Sequence, residues 1–552
     1  MKISGGKAVV NVMAKEGVNK VFCVPGESYL GVMDALYEHP EISLISARHE
    51  GGASFMAEGY AKASGEVGVC MATRGVGASN LAIGIHTASQ DSTPLVALIG
   101  QVERPFKEKE AFQEVNLVGM FSHLCKWTVE IDRVERIPEL LHRAFHIARS
   151  GRPGPVLVAL PHDMLEDAAE MVEIPVYQTQ PARPHKESVQ QVVEMIQNAK
   201  RPILIAGGGV IRSQAVPLLV KFAETVQIPV VTAFRRFDAF PNSHPCYAGW
   251  LGFGTPKYLL EAIDNADLVI ALGTRFSQVG TQDYSLLSGK GKLIHIDISE
   301  DVFGKVYPPS LAVTADVKAF LAEALSIALS TPLNSDELRV EKLHNEYMDF
   351  SKVKEDYSDE FVDMDGFMHD IVSHLPKDTI ITNDAGNFFG WLSRYYRFEH
   401  ENTYVGPTSG AMGYGLPAAI GAKLAQPHKT VVSFSGDGGF MMTLQEIETA
   451  VRYNIPVISI VVNNNMYGTI RTHQEKHFPD RVIGTELSNP NFAELAGLFG
   501  AYGQKVEKNT DFAPALERAL SSGRPAVIEV VTNPRILSAS QDKSKMNLLY
   551  SK

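Results

Sequence analysis

The sequence predicts an α/β fold made of three open, mostly parallel β-sheets that are covered by helices. Short runs rich in Val and Ile alternate with Gly-containing turns and longer helical stretches, which is the pattern of buried parallel strands joined by helical crossovers. The chain has 552 residues, more than one hydrophobic core can organise at roughly 150 residues per domain. Typical strand-like runs are residues 156–158, 202–205, 268–271 and 457–462.

Composition and charge are those of a soluble globular protein. The chain is 45% hydrophobic and 21% charged, a balance that excludes wholesale disorder. Its formal net charge of −12 argues against nucleic acid as the main partner. No apolar run approaches the ~18 residues that cross a bilayer, and the first residues lack an apolar signal core. We therefore expect no membrane partner and a cytoplasmic location.

Several classes of site are excluded by missing motifs. The four cysteines form no CxxC pair, which argues against a disulfide scaffold or zinc ribbon and is typical of a reducing compartment. The chain contains no GxxxxGK[ST] loop, no HExxH and no GxSxG elbow. Residues 75–80 fall one glycine short of a dinucleotide fingerprint.

Two stretches interrupt the α/β pattern and are predicted to be linkers. Residues 166–190 are polar and contain three prolines, and residues 331–360 are highly charged, as in a solvated helix or connector. They divide the chain into segments of 1–165, 190–330 and 360–552.

The first and third segments resemble each other. A strand-like run ends at Gly75 and the next begins at Pro94, 19 residues later. The corresponding distance from Gly436 to Pro456 is 20 residues. Two related sheets would explain this similarity, and so would the generic strand–helix–strand unit.

The strongest chemical signal is the pair Asp437 and Asn464. Asp437 lies in a Ser-Gly-Asp-Gly-Gly motif after a Val-rich run, and Asn464 follows it by 27 residues. Between them, Thr443 and Glu446 have the spacing of a helix capping box. A right-handed crossover returns the chain beside its start, so both side chains are predicted at the carboxyl ends of adjacent strands, where open α/β sheets bind ligands.

These residue types suit a hard cation that carries a diphosphate. Asp437 offers a carboxylate, Asn464 an amide oxygen and Met466 a backbone carbonyl, the oxygen ligands that Mg²⁺ prefers. Glycines beside Asp437 would let backbone N–H groups approach phosphates at a helix N-terminus.

The Gly-Asp-Gly turn followed by the paired asparagines resembles the diphosphate-binding signature of thiamine-diphosphate-dependent enzymes. The closest subgroup is acetohydroxyacid (acetolactate) synthase and its carboligase relatives. Such proteins contain a pyrimidine-binding, a middle Rossmann-like and a diphosphate-binding domain, which would correspond to the three segments. Further matching stretches are residues 23–26, 48–50, 57–61, 111–114, 126–127, 151–156 and 410–419.

The resemblance implies roles for individual residues. Glu50 matches the catalytic glutamate that hydrogen-bonds N1′ of the aminopyrimidine, and burial against the ring would raise its pKa. Gly410 would offer a carbonyl to the 4′-amino group, and Met412 would wedge between the two rings. The residues expected around the cofactor, besides the metal ligands Asp437, Asn464 and Met466, are Pro25, Gly26, Gly386, Asn387, Phe388, Gly436, Gly438, Gly439, Tyr467 and Gly468.

Three residues match the substrate pocket of acetolactate synthases, namely Phe112, Gln113 and Lys126. Because family members place Glu50 and the diphosphate site on different subunits, the resemblance implies a homodimer, or a homotetramer, with shared active sites. The tandem histidines of simple 2-oxo acid decarboxylases are missing, which disfavours release of a free aldehyde.

The chain also departs from the subgroup. His473 stands where anabolic acetohydroxyacid synthases have the tryptophan that favours 2-oxobutyrate. In the middle segment, residues 207–209 and 273–276 resemble flavin-binding stretches, but residues 251–254 lack the usual histidine, and Ser277-Gln278 replaces an acidic pair. FAD is therefore not expected, and without it the three glycines would simply close a Rossmann-like turn.

The predicted enzyme is a transferase that uses thiamine diphosphate and Mg²⁺. It decarboxylates a 2-oxo acid, most simply pyruvate, and joins the remaining unit to a carbonyl acceptor. Another thiamine-dependent decarboxylase, lyase or acyltransferase is the alternative. A degenerate regulatory subunit is a third possibility, against which intact Glu50, Asp437 and Asn464 argue.

Overall fold

The computed structural model describes residues 2–287, 291–330, 336–353 and 360–540. It contains three six-stranded sheets, and every strand pair within them is parallel. The predicted fold class is confirmed. None of the described helices is both long and apolar enough to cross a bilayer.

The first sheet has the strand order β3-β2-β4-β5-β7-β6, and β1 pairs with β8 in a separate antiparallel ribbon. The strands are β1 (Lys2–Ser4), β2 (Lys20–Cys23), β3 (Ser43–Ser46), β4 (Gly68–Thr73), β5 (Leu95–Gln101), β6 (Trp127–Glu130), β7 (Pro155–Pro161) and β8 (Ala168–Glu170). The helices are α1 (Gly5–Lys15), α2 (Leu30–Tyr37), α3 (Glu50–Ser64), α4 (Arg74–Asp91), α5 (Leu117–Phe121), α6 (Ile137–Arg149) and α7 (His162–Glu166).

The second sheet has the order β11-β10-β9-β12-β13-β14, which is the doubly wound Rossmann order. Its strands are β9 (Pro202–Ala206), β10 (Val230–Thr232), β11 (Tyr247–Trp250), β12 (Leu268–Leu272), β13 (Lys292–Asp297) and β14 (Leu311–Thr314). Its helices are α8 (Lys186–Asn198), α9 (Gly208–Arg212), α10 (Val216–Val226), α11 (Lys257–Asp264), α12 (Val317–Ala328) and α13 (Glu337–Phe350).

The third sheet has the order β16-β15-β17-β18-β20-β19. Its strands are β15 (Ile380–Asn383), β16 (Tyr404–Val405), β17 (Val431–Gly436), β18 (Ile458–Asn463), β19 (Tyr502–Val506) and β20 (Ala526–Val531). Its helices are α14 (Met364–His374), α15 (Phe389–Tyr395), α16 (Gly415–Ala425), α17 (Asp437–Phe440), α18 (Glu446–Arg452), α19 (Gly468–His477), α20 (Phe492–Leu498) and α21 (Asn509–Ser521).

The first and third sheets share one topology. When the strands of each sheet are numbered along the chain, both orders run second, first, third, fourth, sixth, fifth. The similar sequence stretches fall on the third and fourth strands of each sheet, β4–β5 and β17–β18. The similarity therefore reflects two related sheets rather than the generic crossover unit.

The two interruptions of the pattern are partly structured. Residues 168–170 form β8, and α8 begins at Lys186. Within the charged stretch at 331–360, residues 331–335 and 354–359 lie outside the described residues. Helix α13 in the same stretch is not simply solvated, because it buries Val340, Leu343 and Tyr347. The side chain of Arg339 donates to the Pro202 carbonyl at 2.8 Å.

The first and third sheets are joined within the chain through α3 and α16. The ring of Phe55 packs edge-on against Tyr414, with ring centroids 5.2 Å apart. The Tyr414 hydroxyl donates to the buried carboxylate of Glu58 at 2.5 Å. The Lys62 ammonium donates to the Gly406 carbonyl at 3.0 Å. This contact fixes the carboxyl edge of one sheet relative to the other.

Candidate active site

Asp437 and Asn464 lie at the same edge of the third sheet. Strands β17 and β18 pair in parallel, with Gly436 opposite Val462. Asp437 is the first residue of α17, and Asn464 directly follows β18. The structure thus brings together the two side chains that the sequence singles out.

The Asp437 carboxylate is buried and accepts hydrogen bonds on both of its oxygens. Its Oδ1 accepts from the Gly438 N–H at 3.0 Å, and its Oδ2 accepts from the Asn489 amide at 2.8 Å. Desolvation raises the pKa of Asp437, and these hydrogen bonds oppose the shift. A cation at this position would offset the cost of burying the charge.

The loop after β18 is held by hydrogen bonds to its own oxygens and to the chain around Thr485. Asn464 Oδ1 accepts from the Met466 N–H at 3.2 Å, and the Met466 carbonyl accepts from the Gly468 N–H at 2.9 Å. The Tyr467 N–H donates to the Thr485 carbonyl at 2.9 Å, which anchors the loop. The described residues contain no cluster of three His, Cys, Asp or Glu side chains, so a metal here would depend on amide and backbone oxygens beside one carboxylate.

The two glycines after Asp437 permit close approach of neighbouring groups. A Cβ on Gly438 would lie 2.5 Å from the Tyr467 ring, and one on Gly439 would lie 2.4 Å from Asp384 Oδ2. Asp384 is itself buried, and desolvation raises its pKa to about 6. The turn is therefore packed between Tyr467 and Asp384, and larger residues would displace one of them.

Asn489 is a site residue that the sequence motifs do not reveal. Its amide nitrogen lies 2.8 Å from Asp437 Oδ2, 3.1 Å from Asn463 Oδ1 and 3.1 Å from Asn465 Oδ1. One side chain thus connects the turn after β17 with the loop after β18. The residue type offered one clue, because Asn is common in turns and its amide has two N–H donors. Asn489 is 25 residues away from Asn464, however, so no local pattern links the two.

The predicted capping box is wrong. The Thr443 hydroxyl donates to the Gly413 carbonyl at 2.8 Å instead of capping a helix. Glu446 is the first residue of α18, and its carboxylate accepts from the backbone N–H groups of Arg48 and His49 at 3.1–3.2 Å. Tertiary partners have replaced the local hydrogen bonds that the spacing favours.

The second predicted cofactor loop lies beside the first. Asn387 accepts from the Thr469 hydroxyl at 2.8 Å and donates to the Thr472 hydroxyl at 3.2 Å, so it contacts α19. The ring of Phe388 is buried and lies 3.5 Å from the position that a Cβ on Gly436 would occupy. Gly386 precedes them and accepts a hydrogen bond from the Phe389 N–H at 3.1 Å.

Gly410 and Met412 belong to a loop that is tied to the same region. The Ala411 carbonyl accepts from the Ala385 N–H at 3.2 Å. Gly410 has a φ of +70°, which glycine adopts without strain, and it is exposed. Met412 is half-buried, so part of its side chain is free to contact a ligand.

Glu50 lies at the carboxyl edge of the first sheet. It is the first residue of α3, and its Oε2 accepts from the Asn80 side-chain amide at 2.9 Å. Pro25 and Gly26 form the loop after β2 at the same edge, where a Cβ on Gly26 would lie 2.6 Å from Thr73 Cβ. Pro25 is exposed.

Phe112 and Gln113 lie near this edge as well. The Gln113 carbonyl accepts from the Gly75 N–H at 3.0 Å, and the Phe112 carbonyl accepts from Arg74 at 3.4 Å. Both contacts are with the first turn of α4, the helix that also carries Asn80. The Phe112 side chain is 72% exposed, which leaves its ring free to contact another molecule.

Lys126 is not brought together with Phe112 and Gln113. It precedes β6, and its N–H donates to the Pro155 carbonyl, which places it at the amino edge of the first sheet. Its ammonium donates to the carbonyls of Ile147 and Ser150 at 2.5 and 2.7 Å, at the end of α6. Desolvation, assisted by nearby Arg152, lowers the pKa of Lys126 to about 8.

A cavity of about 670 Å³ lies between the second sheet and the other two. The predicted flavin-like stretches contribute Gly209, Gly273 and Arg275 to its lining, and Gly209 N–H donates to the Gly273 carbonyl at 3.0 Å. The three glycines thus do close a Rossmann-like turn. Arg152 donates to Ser92 and Ser89, and Arg275 donates to the Gln90 carbonyl. Both guanidinium groups also lie near the Asp297 carboxylate, so the cavity wall carries charges of both signs.

Comparisons with known proteins agree with this geometry. The sequence matches three family models, described as the N-terminal TPP binding domain, the central domain and the C-terminal TPP binding domain of thiamine pyrophosphate enzymes. The matches cover residues 3–120, 189–324 and 384–530, respectively.

Full-length relatives give the same picture. The chain is 33% identical over 548 residues to a probable acetolactate synthase large subunit of Methanocaldococcus jannaschii, with 96% of this chain and 92% of that protein covered. It is 34% identical over 533 residues to the acetolactate synthase isozyme 2 large subunit of Escherichia coli K12, with 96% and 95% covered. The acetolactate synthase large subunit of Corynebacterium glutamicum is 32% identical over 544 residues, with 96% and 87% covered.

Proposed function

The chain belongs to the thiamine pyrophosphate enzymes, among the relatives of acetolactate synthase large subunits, and we propose that it is a thiamine-diphosphate-dependent carboligase of the same type. It decarboxylates a 2-oxo acid, pyruvate in the simplest case, and joins the remaining two-carbon unit to the carbonyl of an acceptor. The observation that carries the proposal is the placement of Asp437 and Asn464 at the ends of adjacent parallel strands.

We assign the diphosphate and its metal to the third sheet, within the proposed domain 360–552. The Mg²⁺ ligands would be the Asp437 carboxylate, the Asn464 amide oxygen and the Met466 carbonyl. The donor set fits, because one buried carboxylate is flanked by neutral oxygens whose loop is already anchored. The neighbouring residues that would surround the diphosphate are Gly386, Asn387, Phe388, Gly436, Gly438, Gly439, Tyr467 and Gly468.

The pyrimidine side of the site is assigned to the proposed domain 1–165, and residues 190–330 form the middle domain. Bound thiamine diphosphate supplies the carbanion and the electron sink for the reaction. Glu50 would hold and return a proton at N1′ of the aminopyrimidine, with its orientation maintained by Asn80. Gly410 would accept from the 4′-amino group through its carbonyl, and Met412 would pack between the two rings.

Two copies of the chain would complete each site, with Glu50 of one subunit facing the diphosphate site of its partner. Several apolar side chains near the two edges are exposed in the single chain, which supports an interface between copies. These are Val76 and Ile83 on α4, and Met441 and Met442 after α17. Native mass spectrometry should find a dimer or tetramer, and a monomer with full activity would contradict shared sites.

Phe112 and Gln113 are proposed to face the substrate, since both lie beside the helix that supports Glu50. Lys126 is instead a cap for the last carbonyls of α6.

We further propose a cytoplasmic location, which the four cysteines, all free, support.

The absence of FAD remains a prediction from the sequence. The cavity beside the second sheet has the volume and the guanidinium groups to accept a nucleotide diphosphate, so the residues present would not exclude the cofactor. The visible absorbance of the purified protein tests the point, because a flavin spectrum that survives dialysis would overturn the prediction.

Product analysis tests the function as a whole. Purified enzyme is incubated with pyruvate, thiamine diphosphate and Mg²⁺, with and without a panel of carbonyl acceptors, and products are identified by mass spectrometry. The proposal predicts acetolactate from pyruvate alone. Free acetaldehyde, or transfer of an acyl group to a thiol, as the main product would favour the thiamine-dependent decarboxylase, lyase or acyltransferase alternative.

A further inference from the structure

A buried carboxylate on α18, a helix beside the third sheet, holds the backbone that carries Glu50. Glu446 is fully buried, and both of its oxygens lie 3.2 Å from the Arg48 N–H. Its Oε1 also accepts from the His49 N–H at 3.1 Å. Its Oε2 accepts from the Thr449 hydroxyl at 2.6 Å. The two bound N–H groups belong to the residues directly before Glu50.

The fit between Glu446 and this segment is close. A Cβ on Gly52 would lie 2.5 Å from Glu446 Oε1, so the carboxylate packs directly against the first turn of α3. His49 caps the next donor, with its ring nitrogen 2.9 Å from the Gly51 N–H. The start of α3 is therefore held by one local cap and by one side chain from nearly 400 residues away.

Apolar packing alone does not account for a hydrogen-bond acceptor at this position. Burial raises the pKa of Glu446 to about 7, which shows that the surroundings penalise its charged form. A buried carboxylate is weak support for a fold, because an apolar side chain of similar volume is often as stabilising. What only an acceptor can provide here is a fixed position for the Arg48 and His49 N–H groups.

We propose that Glu446 is a positioning residue for Glu50, fixing the backbone from which the catalytic side chain leaves while Asn80 fixes its carboxylate. The inference rests on the proposed function, since it assumes that Glu50 acts on the aminopyrimidine. It adds that the third sheet contributes to catalysis through a residue that touches neither cofactor nor substrate.

The test compares Glu446→Ala, Glu446→Asp and Glu446→Gln in the full-length enzyme. Exchange of the C2 proton of bound thiamine diphosphate for deuterium reports on Glu50, and calorimetry gives the cofactor dissociation constant. We expect exchange to slow about 10- to 100-fold in the Ala and Asp variants, because a displacement of the order of 1 Å has effects of this size. The Asp side chain is shorter by one methylene, so its carboxylate would not reach the two N–H groups.

Two features separate positioning from a general structural defect. Cofactor affinity should change less than about threefold in every variant, because the diphosphate residues are untouched. The Gln variant should recover most of the lost exchange, since its amide oxygen still accepts from both N–H groups. Asp316→Ala is the matched control. It removes a carboxylate that caps α12, beside the second sheet, by accepting from the Ala319 N–H at 2.9 Å.

The outcomes are distinct. A wild-type rate of C2 proton exchange in Glu446→Asp would overturn the inference. This test holds even if Glu446→Ala fails to fold. A parallel loss of cofactor affinity and exchange would overturn it too, because Glu446 would then shape the cofactor pocket. If the wild-type enzyme binds no thiamine diphosphate, it is the proposed function that fails.

Discussion

Asn489 offers the sharpest test of the proposed metal site, because one side-chain amide connects the turn after β17 with the loop after β18. The amide has two N–H donors and three oxygen neighbours at 2.8–3.1 Å, on Asp437, Asn463 and Asn465. Asn489→Ala removes all three contacts and leaves the Asp437 carboxylate with hydrogen bonds from backbone N–H groups only, among them that of Gly438 at 3.0 Å.

The magnitude follows from what is lost. The hydrogen bond from Asn489 to the Asp437 carboxylate is charge-assisted and contributes about 1.5–3 kcal/mol. The second N–H of the Asn489 amide bonds to a neutral oxygen and contributes about 0.5–1.5 kcal/mol. Part of this energy maintains the orientation of Asp437 for the metal, and such outer contacts change metal affinity about 10- to 100-fold. We therefore expect the Mg²⁺ concentration that half-saturates the enzyme, at fixed thiamine diphosphate, to rise by this factor.

Calorimetric titration of the enzyme with Mg²⁺ at fixed thiamine diphosphate measures the effect, and Asn491→Ala provides the control. Asn491 lies two residues further on, and its side chain caps α20 by accepting from the N–H groups of Ala493 and Glu494 at 3.1 Å. Losing this cap should cost about 1 kcal/mol of stability and leave Mg²⁺ affinity unchanged. Equal Mg²⁺ affinity in Asn489→Ala and the wild type would refute the reasoning.

Three further predictions concern other residues. Glu50→Gln should lower turnover at least ~100-fold while thiamine diphosphate stays bound in equilibrium dialysis; wild-type-like rates would refute its catalytic role. Asp437→Ala should abolish Mg²⁺-dependent retention of the cofactor on a desalting column, and undiminished retention would count against the metal site. Burial raises the pKa of Asp238 from 3.8 to about 6. Its charge therefore destabilises the folded protein above pH 6, and this destabilisation decreases as the pH falls toward the pKa of the unfolded chain. Asp238→Asn should therefore raise the melting temperature at pH 7.5 and less so at pH 5, and a pH-independent difference would show that the charge is not the cause.

The individual strands were predictable because they are local. Residues 457–462 read as a strand from their apolar run, and β18 is found at Ile458–Asn463, buried on both faces. The order of strands was not predictable in the same way, because it depends on pairings between distant residues. The middle sheet follows one doubly wound order and the outer sheets another, although all three alternate strands and helices alike.

The site could be predicted where its chemistry is concentrated in a short motif. Asp437 and Asn464 were found because a Gly-Asp-Gly turn and an Asn-rich loop are unusual at the two ends of one crossover. Asn489 and Glu446 make their contacts with residues far away in the chain, so their neighbours in sequence carry no signal. Lys126 matches the family in sequence as Phe112 and Gln113 do, but the fold places it at the other edge of its sheet, and no local pattern indicates that separation.

The stretch from Asp437 to Glu446 connects the proposed metal site with the segment that carries Glu50. Asp437 begins the stretch at the proposed metal site, and Glu446 ends it nine residues later against the segment that carries Glu50. In the proposed dimer with shared sites, Glu50 would serve the cofactor held by the partner, whereas Asp437 would hold the cofactor of its own chain. One short stretch of each subunit would then contact both active sites of the dimer. A change that shifts this stretch should therefore alter metal binding in one site and proton exchange in the other.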